Sequence, residues 1–123
     1  MIRLDLASTV PIYDQIKAGL RGLVTKGLLK PGDEAPSIRS LAVRLKVNPN
    51  TVARAYRELT LEGFFEARRG EGNVISPTAV KAARGGLEDL KAGVAEALRM
   101  ARRGGLPWSE ILSAVDKVRK EEP

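Results

Sequence analysis

Apolar residues return at the helical period of about 3.6 along much of this chain, and the most informative run is Val52, Ala55, Tyr56, Leu59 and Gly63. They share one side of a segment that Asn48 caps and Pro49 opens, proline suiting a first helical position where its missing amide costs nothing. Asn50, Thr51, Arg54, Arg57 and Glu58 occupy the rest of that segment, a polar and basic surface that no interior needs. Just before it, Ser37 is the N-cap of a shorter helix whose Ile38, Leu41, Ala42 and Leu45 fall on one face. The pattern predicts two short helices joined by a tight turn, the second fastened by its apolar side and free on the other. Asparagine pairs with an adenine edge, arginine with guanine or phosphate, and the threonine methyl meets the thymine methyl. The second helix therefore has the side chains of a recognition helix in a major groove.

The flanking patterns extend this frame. Met1 to Val10 is an extended lead-in, and Pro11, with Ser8 or Thr9 as the cap, starts an amphipathic helix carrying Ile12, Ile16, Leu20 and Leu23, with Tyr13 and Val24 at its margins, up to about Gly27. Leu28 to Asp33 is a short extended piece entering a Pro-Gly turn, and Asp33 and Glu34 are turn and dipole partners rather than acid-base groups. After Gly63 the periodicity becomes alternating, and two β-favouring runs between Phe64 and Ser76 enclose Arg69-Gly70-Glu71-Gly72, which predicts a hairpin. Bare glycines at its tip let backbone amides approach a phosphate or a groove floor.

Thr78 then caps a long helix expected to be interrupted around Gly85-Gly86. Leu87, Leu90, Val94, Leu98 and Ala101 form its stripe before Gly104-Gly105 ends it. Pro107 opens a last helix striped by Trp108, Ile111, Leu112, Val115 and Val118, followed by the charged tail Arg119 to Glu122. Two helices of this length cannot bury both stripes by themselves, so Leu87, Leu90, Val94, Leu98, Trp108, Ile111, Leu112 and Val115 are expected to pair with a second copy of the chain.

Composition narrows the chemistry. The formal charge is +6, with twelve Lys and Arg against eight Asp and Glu through Ser76 and nine against seven after it, which favours a polyanionic partner. The absence of Cys and His removes disulfides, thiolate nucleophiles, the usual zinc sites and imidazole catalysis, so no catalytic residue, metal or cofactor is expected. No apolar run is long enough to cross a bilayer and the N-terminus lacks a signal-peptide pattern, so the chain is expected to be cytoplasmic, without a membrane partner.

Taken together, Pro11-Ile12-Tyr13-Asp14-Gln15-Ile16, Leu29-Lys30-Pro31-Gly32-Asp33, Pro36-Ser37-Ile38-Arg39, Val47-Asn48-Pro49-Asn50-Thr51-Val52-Ala53-Arg54-Ala55-Tyr56, Glu62-Gly63 and Arg68-Arg69-Gly70-Glu71-Gly72 resemble the DNA-binding domain of the GntR family of bacterial transcription regulators. The Asn-Pro-Asn-Thr-Val form with a short C-terminal region resembles its YtrA subfamily. The resemblance covers about residues 8–77 and implies a mainly α chain with a small β-hairpin. Residues 1–77 would form an N-terminal winged helix-turn-helix domain and 78–123 a short two-helix dimerisation region. It further implies a homodimer that binds a two-fold operator in double-stranded DNA, usually as a repressor, with the recognition helix over about 48–62 and the wing over about 64–76.

Carried over by position, the resemblance assigns DNA contacts to Arg39, Asn48, Asn50, Thr51, Arg54, Arg69 and Gly70, and the basic cluster adds Arg57 and Arg68. Other branches carry arginines where this chain has Pro49 and Ala53, so their base readout does not transfer. Ala35 stands where a larger residue is common. Leu61 stands where the family is usually charged, pointing away from the core stripe, either exposed or meeting the C-terminal region. An unidentified small-molecule effector has too little chain after the wing for a pocket of its own, leaving the dimer interface or the segment from Ser76 to Gly86. A winged-helix protein-docking module with no specific DNA site is the alternative reading.

Overall fold

The structure, a computed structural model, describes residues 2–121; Met1 of the lead-in and Glu122 of the charged tail lie outside the described residues. The element order is α1 (Ile12–Thr25), α2 (Ile38–Leu45), α3 (Pro49–Leu61), β1 (Phe65–Arg68), β2 (Gly72–Ile75), α4 (Ala79–Arg103) and α5 (Trp108–Glu121). This is a winged helix-turn-helix followed by a helical C-terminal region. The chain divides into two compact units, Met1–Gly85 and Gly86–Pro123.

In the first unit α3 packs against α1, α2 and β1. Its stripe is closed to water: Val52, Ala55 and Leu59 have no exposed surface, and they join Ile16 and Leu20 of α1, Leu41 and Ala42 of α2, Phe64, Phe65 and Ile75 of the hairpin region, and Ala79 and Ala83 of α4 in one core. Both predicted caps form. Ser37 Oγ accepts from Ser40 N at 3.1 Å, and Asn48 Oδ1 accepts from Asn50 N at 2.8 Å. Between them α2 ends on Lys46 in the left-handed conformation (φ 59°, ψ 45°), an uncommon geometry for a residue with a Cβ. Two backbone bonds close this end, from Lys46 N to Val43 O and from Val47 N to Ala42 O.

The start of α1 differs from expectation. Pro11 lies just outside the helix and no side chain caps it; the Ser8 hydroxyl instead accepts from Val10 N. Gln15 does the tying, accepting from Asp5 N at 2.7 Å and donating to Asp5 O and Val10 O at 2.9 Å. The lead-in is thereby folded back rather than simply extended, and Ile2 packs so close to Gly19 that a Cβ there would lie 2.8 Å from Ile2 Cγ1.

The hairpin pairs antiparallel with Phe65 opposite Ile75 and Arg68 opposite Gly72. Its other edge is covered: Gly32 N donates to Ile75 O, Ile75 N to Asp33 O and Ala35 N to Asn73 O, at 2.8–2.9 Å. The small Ala35 is partly buried against the core beside this edge. The expected break near Gly85-Gly86 does not occur. Helix α4 runs through both glycines and neither takes a positive φ; each costs roughly 1 kcal/mol relative to alanine, and helix formers on both sides carry the hydrogen-bond ladder across.

Tyr56 joins several of these pieces. It is 2% exposed, its ring meets Phe65 edge-on at 4.9 Å, and its hydroxyl donates to Pro36 O at 2.6 Å. Burial pushes its phenol up to about 12, so the folded chain keeps the proton while the unfolded phenol ionises near its ordinary 10. Stability is expected to fall as pH rises from 10 towards 12. Tyr56→Phe should remove that part of the alkaline loss and, by stranding the Pro36 carbonyl, cost about 1–2 kcal/mol at neutral pH, as read by urea denaturation.

Candidate nucleic-acid interface

At about 100° per residue, burying Val52, Ala55, Tyr56 and Leu59 turns Asn50, Arg54, Arg57 and Leu61 outward in one row, and all four are exposed. Leu61, at 87% exposed, ends the row in water. Thr51 is half-buried beside it. Asn48 is at the leading end, where its Oδ1 already accepts the cap bond and its amide nitrogen can donate outward. Arg39 is exposed in the first turn of α2.

The hairpin tip consists of Arg69, Gly70 and Glu71 between the strands. Gly70 and Gly72 have φ of 82° and 72°, values that a side chain would strain. Arg68 is held beside the tip by Glu66 at 3.5 Å and Glu71 at 3.8 Å. Among the described residues, Arg39, Arg57 and Arg69 form no ion pair, whereas Arg54 and Arg68 do. The Tyr56–Phe65 contact and Ser76 N donating to Phe64 O at 3.1 Å fasten the hairpin to the end of α3. Helix and tip are therefore presented by one packed unit.

A charge network beneath α3 was not anticipated from the sequence. Lys17 of α1 is 7% exposed, and its ammonium donates to Glu58 at 2.8 Å and Glu62 at 2.9 Å. Arg21 adds a bond to Glu62 at 2.7 Å, and Glu58 holds Arg54 Nε at 3.2 Å. Arg54 also stacks on Tyr13 of α1, its guanidinium carbon 3.7 Å from the ring centroid. The available signal was positional: Lys17 falls inside the stripe of Tyr13, Ile16, Leu20 and Val24, and a lysine there needs an acid opposite. Burial works to lower the Lys17 pKa, but the two carboxylates outweigh it and hold the ammonium above its ordinary value. The Lys17 hydrogen bond is the main cause that holds Glu58 low. Burial pushes Glu62 up, yet Lys17 and Arg21 together bring it below the ordinary range.

In the second unit the residues expected to pair between copies are largely uncovered within one chain. Leu87, Leu90, Val94, Trp108, Leu112 and Val115 are exposed and Leu98 is half-buried, whereas Ile111 is already 5% exposed in the single chain. Arg102 lies over the Trp108 ring at 5.0 Å. An apolar groove of about 400 Å³ runs along α4, lined by Leu87, Leu90, Lys91, Val94, Ala95 and Leu98. Among the described residues, no group of acidic side chains is placed to hold a metal ion, and no helix is long and apolar enough to cross a membrane.

The profile described as "Bacterial regulatory proteins, gntR family" matches residues 12–75. The HTH-type transcriptional repressor YtrA of Bacillus subtilis is 49% identical over 79 residues, 64% of this chain and 61% of the repressor; the chain thus spans about six tenths of that relative's length. The HTH-type transcriptional regulator Rv1152 of Mycobacterium tuberculosis is 38% identical over 110 residues, 87% of this chain and 89% of the relative. Among solved structures, YtrA from Sulfolobus acidocaldarius, a GntR-family transcription factor, superposes with a TM-score of 0.61 at 39% identity, over 80% of this chain and 97% of that one.

The charge network has a pH signature. Because the folded carboxyls of Glu58 and Glu62 are depressed, their contribution is present above their ordinary value of 4.5 and is lost as pH falls through the folded values. The raised Lys17 contributes fully below 10.5 and loses its contribution as pH rises beyond it. Lys17→Met should flatten the decline in melting temperature between about pH 5 and 3 relative to the unaltered chain, as followed by circular dichroism.

Proposed function

Because the chain belongs to the GntR family of bacterial regulatory proteins, whose profile covers residues 12–75, we propose that it is a sequence-specific DNA-binding transcriptional repressor acting on a two-fold operator as a homodimer. The observation that carries this reading is the outward row Asn50, Arg54 and Arg57 on α3, exposed and unused by the core. Residues 1–77 are the reading head. In it α3 enters the major groove with Asn48, Asn50, Thr51, Arg54 and Arg57, the wing residues Arg68, Arg69 and Gly70 reach the backbone or the minor groove, and Arg39 of α2 adds a further DNA contact. Repression is supported by the 49% identity to a protein described as a transcriptional repressor.

Residues 78–123 are the pairing region. Exposed Leu87, Leu90 and Val94 on α4, and Trp108, Leu112 and Val115 on α5, are the apolar side chains that a second copy would cover, the more so because short isolated helices are marginal in water. Pairing two reading heads matches half-sites one helical turn, about 34 Å, or more apart. A small-molecule effector would find the apolar groove on α4, and occupying it would alter pairing.

Two experiments test the reading. After selection of a site from random duplex DNA, Arg54→Ala should weaken binding to that site by about 1–3 kcal/mol and narrow the gap to random DNA, while Arg69→Ala weakens both more evenly; equal loss on both DNAs from Arg54→Ala would oppose base reading. In sedimentation at micromolar concentration the chain should run as a dimer, and the double change Leu90→Asp, Val94→Asp should convert it to a folded monomer. A monomer for the unaltered chain, with and without the selected DNA, would refute pairing.

A further inference from the structure

Arg54 is the only member of the outward row whose side chain has a hydrogen-bond or ring partner among the described residues, and those partners lie on two different sides of its guanidinium. The Tyr13 ring covers one face at 3.7 Å, and Glu58 Oε2 takes the Nε edge at 3.2 Å. Glu58 cannot swing freely, because its other oxygen accepts from the buried Lys17 ammonium at 2.8 Å. What remains is the edge carrying Nη1 and Nη2, which make no hydrogen bond among the described residues, on a side chain that is 54% exposed.

An unrestrained arginine on a helix samples many rotamers, and ordering it on binding costs free energy. Here the choice is narrowed before any DNA arrives. The uncommitted edge is a two-donor fork, the geometry that matches the O6 and N7 acceptors of guanine. Tyr13 and Lys17 belong to α1, so the groups that hold Arg54 come partly from a helix other than the one that carries it.

We propose that Tyr13 and Glu58, the latter anchored by Lys17, are positioning residues that pre-set the Arg54 fork for a guanine and so set sequence selectivity. This rests on the reading of Arg54 as a base-contacting residue. A base edge taken by Nη1 and Nη2 would meet the guanidinium at an edge and leave the face against Tyr13 covered, so the stack would persist in the complex. Glu58 serves as a fixed acceptor for Nε while Lys17 offsets part of its charge towards phosphate.

The test compares affinity for a selected site with affinity for random duplex, in the full chain. Tyr13→Leu, which keeps an apolar side chain but removes the ring face, should lower the ratio about three- to tenfold, the scale of ordering one long side chain, with random-duplex binding unchanged. Tyr13→Phe should restore the ratio, since the ring face remains. Glu58→Gln should lower the ratio similarly while random-duplex binding rises modestly as a negative charge leaves. Introduced into Arg54→Ala, neither change should alter the ratio further. Losses that persist in that background, or that fall equally on both DNAs, would overturn the positioning role and leave base reading by Arg54 standing. If Arg54→Ala itself leaves the ratio unchanged, the base-reading assignment fails first and the positioning role with it.

Discussion

Everything the winged helix-turn-helix unit presents to its surroundings depends on one side of α3 being sealed. Val52, Ala55, Tyr56 and Leu59 are at most 2% exposed, so the helix cannot rotate about its axis without bringing apolar side chains into water at roughly 25 cal/mol for each Å² exposed. That constraint fixes where the opposite row points. An exposed asparagine or arginine on a free helix has no preferred direction, but on a helix locked at four positions its direction is set by the core beneath it.

The same locking passes to the hairpin through aromatic contacts. Tyr56 is both a core residue of α3 and the partner of Phe65 at the start of β1, while Phe64 packs on Phe65 at 5.7 Å. The segment Gly32–Ala35 closes the outer edge of β2, which leaves the tip as the open part of the hairpin. Charge is handled by division of labour. Lys17, Arg21, Glu58 and Glu62 neutralise one another along the α1–α3 seam, and Arg39, Arg57 and Arg69 stay exposed without an ion pair among the described residues.

The helical C-terminal region follows a different logic. Its stripes are regular, yet within one chain most of their side chains remain exposed. Regular apolar spacing without burial in the single chain is what the proposed pairing with a second copy would draw on, and α4 and α5 carry i, i+3 ion pairs of Glu88 with Lys91, Glu96 with Arg99 and Asp116 with Arg119. These support helices that receive little help from a core of their own.

Much of this was legible in the order of residues. The caps at Ser37 and Asn48, the two helices they open, the hairpin around Gly70 and the outward placement of Asn50, Arg54 and Arg57 all follow from local rules, because caps, turns and helical periods act over a few residues and are written next to one another. The tertiary structure decided what depends on distant partners. Gln15, not Ser8 or Thr9, ties the start of α1, because backbone groups ten residues away come within its reach. Helix α4 passes through Gly85 and Gly86, because hydrogen bonds on either side outweigh a weak local preference. Lys17 is a buried cation rather than a solvated one, and Arg54 is a held side chain rather than a free one, because α1 and α3 are brought together by packing that no short stretch of sequence encodes.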